Sequence, residues 1–210
     1  MPDVRSGFHG DIAYVFEDSG YDSTPTDNTF KGFGSNATMD TFEGGRQAER
    51  HYNASRTAAD IIANNFDGGW GVSFELGAEP PWWLAAIFGQ PSTSNPVGNQ
   101  YEHDYSLANG NDPVALRLYA PTDGFNNYYV VPGAFLVSAS IDQSEDGTPE
   151  VSLTGGFARD PFEDNSLSPA APNFAQSPFT NRDAEVVVDG TTLARSQSTS
   201  LSLETGTEGK

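Results

Sequence analysis

Short runs that alternate between apolar and polar residues dominate the middle of this chain. A period of two residues places apolar side chains on one face and polar side chains on the other, as a half-buried β-strand requires. The clearest runs are Trp70–Leu76, Phe135–Ile141 and Val151–Gly155. In the second run, Val137, Ala139 and Ile141 are predicted to face the core. Between the last two runs lies Asp146-Gly147, a strong signal for a tight hairpin turn.

The rest of the chain extends this pattern, with one exception. Pro80–Gly89 is apolar nearly all round, begins with two prolines and ends with glycine, so it predicts one short helix. Ala58–Asn64 is either a helical turn or a second extended piece. Further strands and a second hairpin are predicted at Ile12–Phe16, Gln47–Arg56, Tyr101–Leu107, Val114–Tyr119, Asn127–Val131, Glu185–Ala194 and Ser198–Leu203. The predicted fold class is therefore all-β with one short helix.

A single β domain over residues 11–210 accommodates these elements, and residues 1–10 are predicted to form an N-terminal arm. Two polar stretches, 18–45 and 160–182, are predicted as long loops, and 90–100 as a shorter one. Loops of such length inside a compact domain usually serve a function. We therefore expect the arm and the two long loops to contact other molecules.

Acidic residues outnumber basic ones by 29 to 10, which gives a formal net charge of −19. Like charges repel one another in a compact fold, and this repulsion is relieved when the Debye length falls to about 3 Å at 1 M salt. The composition therefore predicts a protein that works in concentrated brine. The same charge argues against a surface that grips nucleic acid, because such a surface needs a basic face.

Other compositional features exclude several classes of protein. The chain has no cysteine, which excludes disulfides and thiolate metal sites. Its first residues lack the apolar segment of a secretory signal, and the longest apolar run, Trp82–Phe88, is too short to span a bilayer. We therefore predict neither secretion nor membrane insertion.

Catalytic chemistry finds little support in the sequence. No G-x-S-x-G motif is present, and the histidines His9, His51 and His103 fall on the arm and on two alternating strands. A glycosidase-type carboxylate pair cannot be singled out among 29 acidic residues. We therefore predict no enzyme, no catalytic residue and no cofactor.

One segment has the opening spacing of a calcium-binding loop. Asp142, Ser144 and Asp146 place oxygen ligands on alternate residues before a glycine, but Leu153 occupies the place of the closing glutamate. The segment also joins two strands rather than two helices. A hairpin tip is the favoured interpretation, with calcium as the alternative.

Beyond these patterns, the segment Phe42–Phe162 resembles the tail tube proteins of tailed viruses, specifically those of haloarchaeal viruses. The resemblance lies in the order and texture of successive elements: the polar strand Gly44–Arg56, the strand Gly69–Leu76, the Pro-Trp-Trp-Leu helix ending at Phe88-Gly89, the strand Tyr101–Leu107 and the hairpin Phe135–Gly155. Ala184–Leu203 resembles a later hairpin of the same domain.

The resemblance implies a β-sandwich or barrel with one flanking helix. It implies that six copies form a ring, that their sheets line a central channel as one continuous β-barrel, and that rings stack into a tube. The tube would conduct DNA, without binding it specifically, during genome delivery. The implied partners are further copies of the chain, a tape measure protein, a tail terminator, and baseplate or distal tail proteins. The implied location is the virion tail, assembled in the host cytoplasm. Family members often run longer, so a missing C-terminal part is left open.

A uniformly polar strand face needs water beside it, which the lumen of such a tube would supply. The residues predicted to line the lumen are Glu49, His51, Asn53, Ser73, Glu75, Ser138, Ser140, Ser152 and Thr154. The alternative is an ordinary solvated outer face. Trp82, Trp83 and Phe88 are predicted either to contact a neighbouring subunit or to anchor the core.

Two other functions compete with a tail tube. One is a halophilic surface or adhesion β domain that binds sugar or calcium. The other is a hydrolase with a carboxylate pair, which would need a concave site.

Overall fold

Strands account for nearly all regular structure in the computed structural model of the chain. The structure describes residues 12–18, 22–26, 29–39, 43–51, 60–77, 80–97, 100–106, 114–121, 128–144, 147–157, 159–164, 179, 187–192 and 198–205. The strands are β1 Ala13–Phe16, β2 Lys31–Gly32, β3 Ser35–Met39, β4 Glu43–His51, β5 Asp60–Glu75, β6 Ser92–Val97, β7 Gln100–Asp104, β8 Leu116–Pro121, β9 Tyr128–Ser144, β10 Glu150–Phe157, β11 Phe162–Asp164, β12 Val187–Val188, β13 Thr191–Thr192 and β14 Ser198–Glu204. A 3-10 turn, Trp82–Leu84, leads into the short helix α1, Ala85–Phe88. The predicted all-β class with one short helix is confirmed.

The 17-residue strand β9 organises the main sheet, which has ten strands. Its residue Ala134 lies opposite Leu116 of β8 and Phe157 of β10, so these strands flank it on opposite sides. Between Ser138 and Ser144, β9 pairs with β14, which lies on the same side of β9 as β8. Between Tyr128 and Val130, β9 pairs with β11, which lies on the same side as β10. The order β2-β1-β8-β9-β10-β5-β3 follows, with β4 also paired to β5.

A β-bulge marks the middle of β9. Thr154 lies opposite Ser138, but the next residue, Gly155, lies opposite Leu136, so Val137 has no partner in β10. Val137 is 37% exposed whereas Leu136 is buried, so the prediction that Val137 faces the core is wrong. A bulge adds one residue to a strand and reverses the side-chain alternation beyond it.

Close packing explains the glycine at this bulge. A Cβ at Gly155 would collide with the carbonyl oxygen of Phe135 and with the Trp70 indole. The Trp70 Nε1–H donates to the carbonyl oxygens of Gly156, at 3.0 Å, and Phe135, at 3.2 Å. The indole thus stabilises the bulge from the neighbouring strand β5.

The two ends of the sheet share one core. Tyr14 of β1 packs against Phe33 with ring centroids 4.6 Å apart, and Phe33 packs against Phe74 of β5 at 5.7 Å. Because β8, β9 and β10 separate β1 from β5 in the strand order, this contact requires the sheet to fold over on itself. The result is two layers around one apolar interior, as in a β-sandwich.

The helical segment closes one side of this core. Trp83 is 2% exposed and meets Phe74 edge-on, with ring centroids 6.2 Å apart. The helix then buries Ala85, Ala86 and Ile87 and ends at Gly89, whose φ of 81° favours glycine. The predicted helix at Pro80–Gly89 is confirmed. Among the residues that the structure describes, no helix has the length and apolarity to cross a membrane.

Several polar stretches predicted as loops contain strands. The interval 18–45 includes β2, β3 and the start of β4, and the interval 160–182 includes β11. The polar stretch 90–100 contributes β6, which pairs with β7. Residues 60–64, part of the ambiguous stretch, are extended in β5. Cross-strand pairing, which a single strand's sequence does not display, decides these cases. The predicted arm, residues 1–10, lies outside the described residues.

A buried ion pair lies on the outer side of β1 and β8. Glu17 is 5% exposed, and its Oε1 accepts from Arg117 Nε at 3.2 Å and from the Gly133 N–H at 2.9 Å. Arg117 also donates to the carbonyl oxygen of Ser23 at 3.2 Å and so ties the following loop to the sheet. Burial raises the pKa of the Glu17 carboxyl, although the Gly133 N–H and Arg117 lower it. The pair therefore joins the loop, β8 and the middle of β9.

Candidate functional site: a polar face of the sheet

Six of the predicted lumen residues lie together on β5, β9 and β10. Ser152 of β10 lies opposite Ser140 of β9 on one side and opposite Ser73 of β5 on the other. Thr154 lies opposite Ser138. Glu75 ends β5 beside Glu150. Directly paired residues point to the same side of a sheet, so these side chains share one face.

Hydroxyl groups form a continuous row across this face. The Ser73 and Ser152 Oγ atoms are 3.1 Å apart, and in the next row the Ser138 Oγ and Thr154 Oγ1 are 2.6 Å apart. Ser140 extends the first row to Ser202 of β14, and Ser73 extends it to Thr38 of β3. We call the set Ser202, Ser140, Ser152, Ser73 and Thr38 the hydroxyl row.

A second row on the same face concentrates negative charge. Glu150 lies opposite Asp142 of β9 and opposite Glu75 of β5. We call these three residues the carboxylate row. Asp142 accepts from the hydroxyls of Ser140 at 3.1 Å and Ser200 at 2.6 Å. Like charges directly opposite one another destabilise a sheet, and salt screens that repulsion.

The strands that carry the two rows contain no lysine or arginine. This holds for every residue of β3, β5, β9, β10 and β14. Each hydroxyl on the face can donate or accept a hydrogen bond, but no cation is present to hold a phosphate. Across these five strands the face is therefore polar and negative, and it offers no basic side chain to a polyanion.

For two of the other three predicted lumen residues, the structure gives the backbone register. Glu49 and His51 belong to β4, where the backbone register puts them opposite Ile62 and Asp60 of β5. Asn53 lies outside the described residues.

The calcium alternative gains no support from the described residues. Asp142 and Ser144 lie at the end of β9, and Asp146 is not among the residues described. The Asp142 carboxylate already accepts two serine hydroxyls. Across the described part of the chain, no three His, Asp or Glu side chains converge as metal ligands would.

The three predicted aromatic contact residues differ in how deeply they are buried. Trp83 is a core residue, so for it the core alternative applies. Trp82 and Phe88 are half-buried and pack against the margin of the core. They also contact the β6–β7 region, with centroid distances of 4.6 Å from Trp82 to His103 and 6.4 Å from Phe88 to Tyr105. The Tyr105 hydroxyl donates to the Pro81 carbonyl oxygen at 3.1 Å. These contacts attach the β6–β7 hairpin to the helical segment.

Sequence reasoning missed part of the polar face. Ser200 and Ser202 alternate with Leu201 and Leu203, so the period of two already contained the signal that they share a face. Glu150 precedes the predicted strand by one residue. Thr38 had no such signal, because it lies in a stretch with few apolar residues.

Comparison with known proteins identifies the family of the chain. A family model described as phage tail tube protein matches residues 7–210. A search of curated proteins found no match. The family match spans nearly the whole chain and includes every strand of the polar face. The chain therefore belongs to the family of phage tail tube proteins.

Proposed function

We propose that this protein forms the tail tube of a virus that infects a halophilic, haloarchaeal host. Six copies would form a ring, rings would stack into a tube, and the tube would conduct the viral DNA during ejection. Family membership supports the structural role and a place in the virion. The main observation in favour of a DNA conduit is the polar face of the sheet. Its five strands present hydroxyls and carboxylates and contain no lysine or arginine.

In this proposal the polar face lines the channel. Ser73, Glu75, Ser138, Ser140, Ser152 and Thr154 would contact the channel water, and Glu49, His51 and Asn53 would extend the lining along β4 and beyond. DNA carries one negative charge per about 1.7 Å of its axis. A carboxylate 4 Å from a phosphate is repelled by about 1 kcal/mol in bulk water, and by less in salt. Such a wall excludes tight contacts while leaving the DNA mobile.

The net charge of −19 fits the proposed environment. The carboxylate row sets three acidic residues side by side, so folding and assembly both gain from screening by concentrated salt. The other proposed partners are a tape measure protein during assembly, a tail terminator at one end and baseplate proteins at the other. Assembly would take place in the host cytoplasm.

Electron cryomicroscopy of the purified protein tests this proposal directly. At molar NaCl we expect sixfold rings or tubes with a central hole, and the same preparation dialysed to 0.1 M salt should contain fewer of them. In a map of the tube, Ser152 and Glu75 should point toward the axis. A protein that stays monomeric at every concentration and salt would contradict the tube. A tube whose polar face points outward would contradict the lumen assignment alone.

A further inference from the structure

The strand β14 leaves one edge of the polar half of the sheet open. It pairs with β9 over seven consecutive residues without a register shift, and in the described part of the chain it pairs with no other strand. Its sequence, Ser-Thr-Ser-Leu-Ser-Leu-Glu, contains no lysine, proline or glycine. Natural sheets protect solvent-exposed edges with such residues, with bulges or with very short strands. Among the described residues, Glu204 at the end of β14 is its one charged side chain, and no bulge or proline interrupts the strand.

Another strand that ends the sheet on the β8 side of β9 shows what protection looks like. The terminal strand β2 has two residues, and one of them is Lys31. A two-residue strand with a charged side chain is a poor template for pairing. Of these two strands, β14 is therefore the better template for pairing with a further strand.

The alternation of hydrogen-bonded and non-bonded pairs between β9 and β14 shows which amides of β14 face away from β9. The Thr205 N–H donates to the Val137 carbonyl oxygen at 2.9 Å, one position beyond the pair Glu204 and Ser138. Bonded and non-bonded pairs alternate along an antiparallel ladder. The amides of Leu203 and Leu201 therefore face β9. Those of Ser200, Ser202 and Glu204 face away from it.

The side chains at this edge also suit a joint. Leu201 is 50% exposed although it is aligned with Ile141 and Val151 on the apolar side of the sheet. On the polar side, Ser200 and Ser202 flank β9, while the carboxylate row occupies only the three central strands. At the opposite edge, β3 presents Ser35 and Thr38. If these two edges of neighbouring copies met, the polar-side residues at the contact would be hydroxyls rather than like charges. Glu204 is the exception.

We propose that the outer edge of β14 pairs with the β3–β4 edge of a second copy of this chain. This proposal rests on the proposed function, and it names the strands that would join neighbouring subunits in a ring. A contact between two different edges is heterologous, and repeated rotation closes it into a ring. The hydroxyl row would then continue from Thr38 of one copy to Ser202 of the next.

The strand directions add a further requirement. Every strand pair in the described residues is antiparallel. In the order β14-β9-β10-β5-β3, the first and the fifth strand therefore run the same way. Rotation about the tube axis preserves each strand's direction along that axis. The joint between copies is consequently a parallel pair, unlike the described pairs within the chain.

A proline substitution at an amide that faces away from β9 distinguishes an effect on assembly from an effect on folding. Ser202→Pro removes an N–H that points away from β9, and an edge position of this kind tolerates proline. Ser202→Ala is the matched control, since it removes the same hydroxyl and keeps the N–H. We expect Ser202→Ala to keep most of the wild-type assembly at molar salt, because it keeps the main-chain N–H and loses only one hydroxyl of the joint. Ser202→Pro should keep its urea midpoint while at least a tenfold smaller fraction sediments as rings or tubes.

Hydrogen exchange gives a second readout that needs no variant. On assembly of the wild type, the amides of Ser200, Ser202 and Glu204 should slow at least tenfold. Those of Leu201 and Leu203 are already bonded to β9 in the subunit and should change less. This comparison decides the matter if Ser202→Pro does not fold.

The outcomes keep the two proposals apart. If the wild type and Ser202→Pro both form normal rings, or if the three outward amides exchange as fast in tubes as in subunits, the β14 joint is wrong and the tube proposal stands. If the wild type never assembles, both proposals are wrong. A map that shows β14 next to β3 or β4 of its neighbour in antiparallel orientation also contradicts the proposed joint.

Discussion

Replacing Arg117 by methionine should destabilise the subunit more at neutral pH than at acidic pH. Methionine keeps most of the side-chain volume but removes the partner of the buried Glu17 carboxylate. Breaking a buried pair by removing one partner costs about 3–5 kcal/mol, because the remaining charge stays in a poorly solvated site. The lost bond to the Ser23 carbonyl oxygen adds about 1 kcal/mol.

The pH dependence follows from the pKa of Glu17. Burial raises that pKa above 4.5, and Arg117 lowers it, so the Arg117→Met variant should have a Glu17 pKa that is higher still. Between the unfolded value and this raised folded value, the folded state binds more protons than the unfolded state does. Stability therefore falls as pH rises through that window. The difference between wild type and variant should be largest at pH 7 and shrink as pH falls toward 4.5.

Urea unfolding of dilute, unassembled subunits in molar NaCl, followed by tryptophan fluorescence, measures this difference. Protonation of the other acidic residues affects wild type and variant alike and cancels in the comparison. The double variant Glu17→Gln/Arg117→Met should recover at least about 2 kcal/mol relative to Arg117→Met, since no buried charge remains. An equal loss at pH 7 and pH 5, or additive effects of the two substitutions, would refute the reasoning.

Two further predictions concern packing. Leu153→Ala should lower the free energy of unfolding by about 2–5 kcal/mol because Leu153 is buried in β10, whereas Leu201→Ala, at the half-exposed edge, should cost less than about 1 kcal/mol in the unassembled subunit; urea titration measures both, and equal losses would contradict the proposed core. Gly155→Ala should destabilise strongly because its Cβ would collide with the Phe135 carbonyl oxygen, whereas Gly69→Ala meets its nearest atom at an ordinary 3.8 Å. Thermal melts of the two glycine variants test this, and similar melting temperatures would show that the bulge adapts.

Local patterns in the sequence were sufficient for much of the fold. The alternation at Trp70–Leu76 and Val151–Gly155 predicts a strand and its polar side, because the period of two depends only on neighbouring residues. It does not predict the full extent of β5, which begins at Asp60. The Asp189-Gly190 turn between β12 and β13 is likewise a local signal, and it matches the positive φ angles of both residues. The helix was predictable because its prolines and its closing glycine act on the adjacent backbone.

Features that depend on partners were not predictable from the sequence. Two predicted strands, Asn127–Val131 and Phe135–Ile141, merge into β9, since neighbours on both sides continue across the gap. Val137 was assigned to the wrong side because the bulge is fixed by Gly155 and Trp70, which lie far from it in sequence. β3 and β6 are polar strands that acquire their conformation from β5 and β7.

The polar face was predictable in its centre and not at its edges. Ser73, Ser140 and Ser152 lie in strongly alternating strands, so their common side could be inferred. Their direct alignment into a row could not, because register between strands depends on turn geometry and on the bulge. Thr38 and Ser202 join the row only through pairing that the folded sheet reveals. Whether the face lines a channel stays a prediction.

The central position of β9 has a consequence for the timing of synthesis. Its partner β10 follows at once through a short hairpin, but the contact of Asp142 with Ser200 spans 58 residues. At ~5–20 residues per second, a ribosome takes roughly 3–10 s to make the chain between β9 and β14. During that interval the β14 side of β9 is vacant, and the strand proposed to join neighbouring subunits has not been made. With the proposed joint, a nascent subunit thus cannot offer a β14 edge of its own to a neighbour until its synthesis is nearly complete.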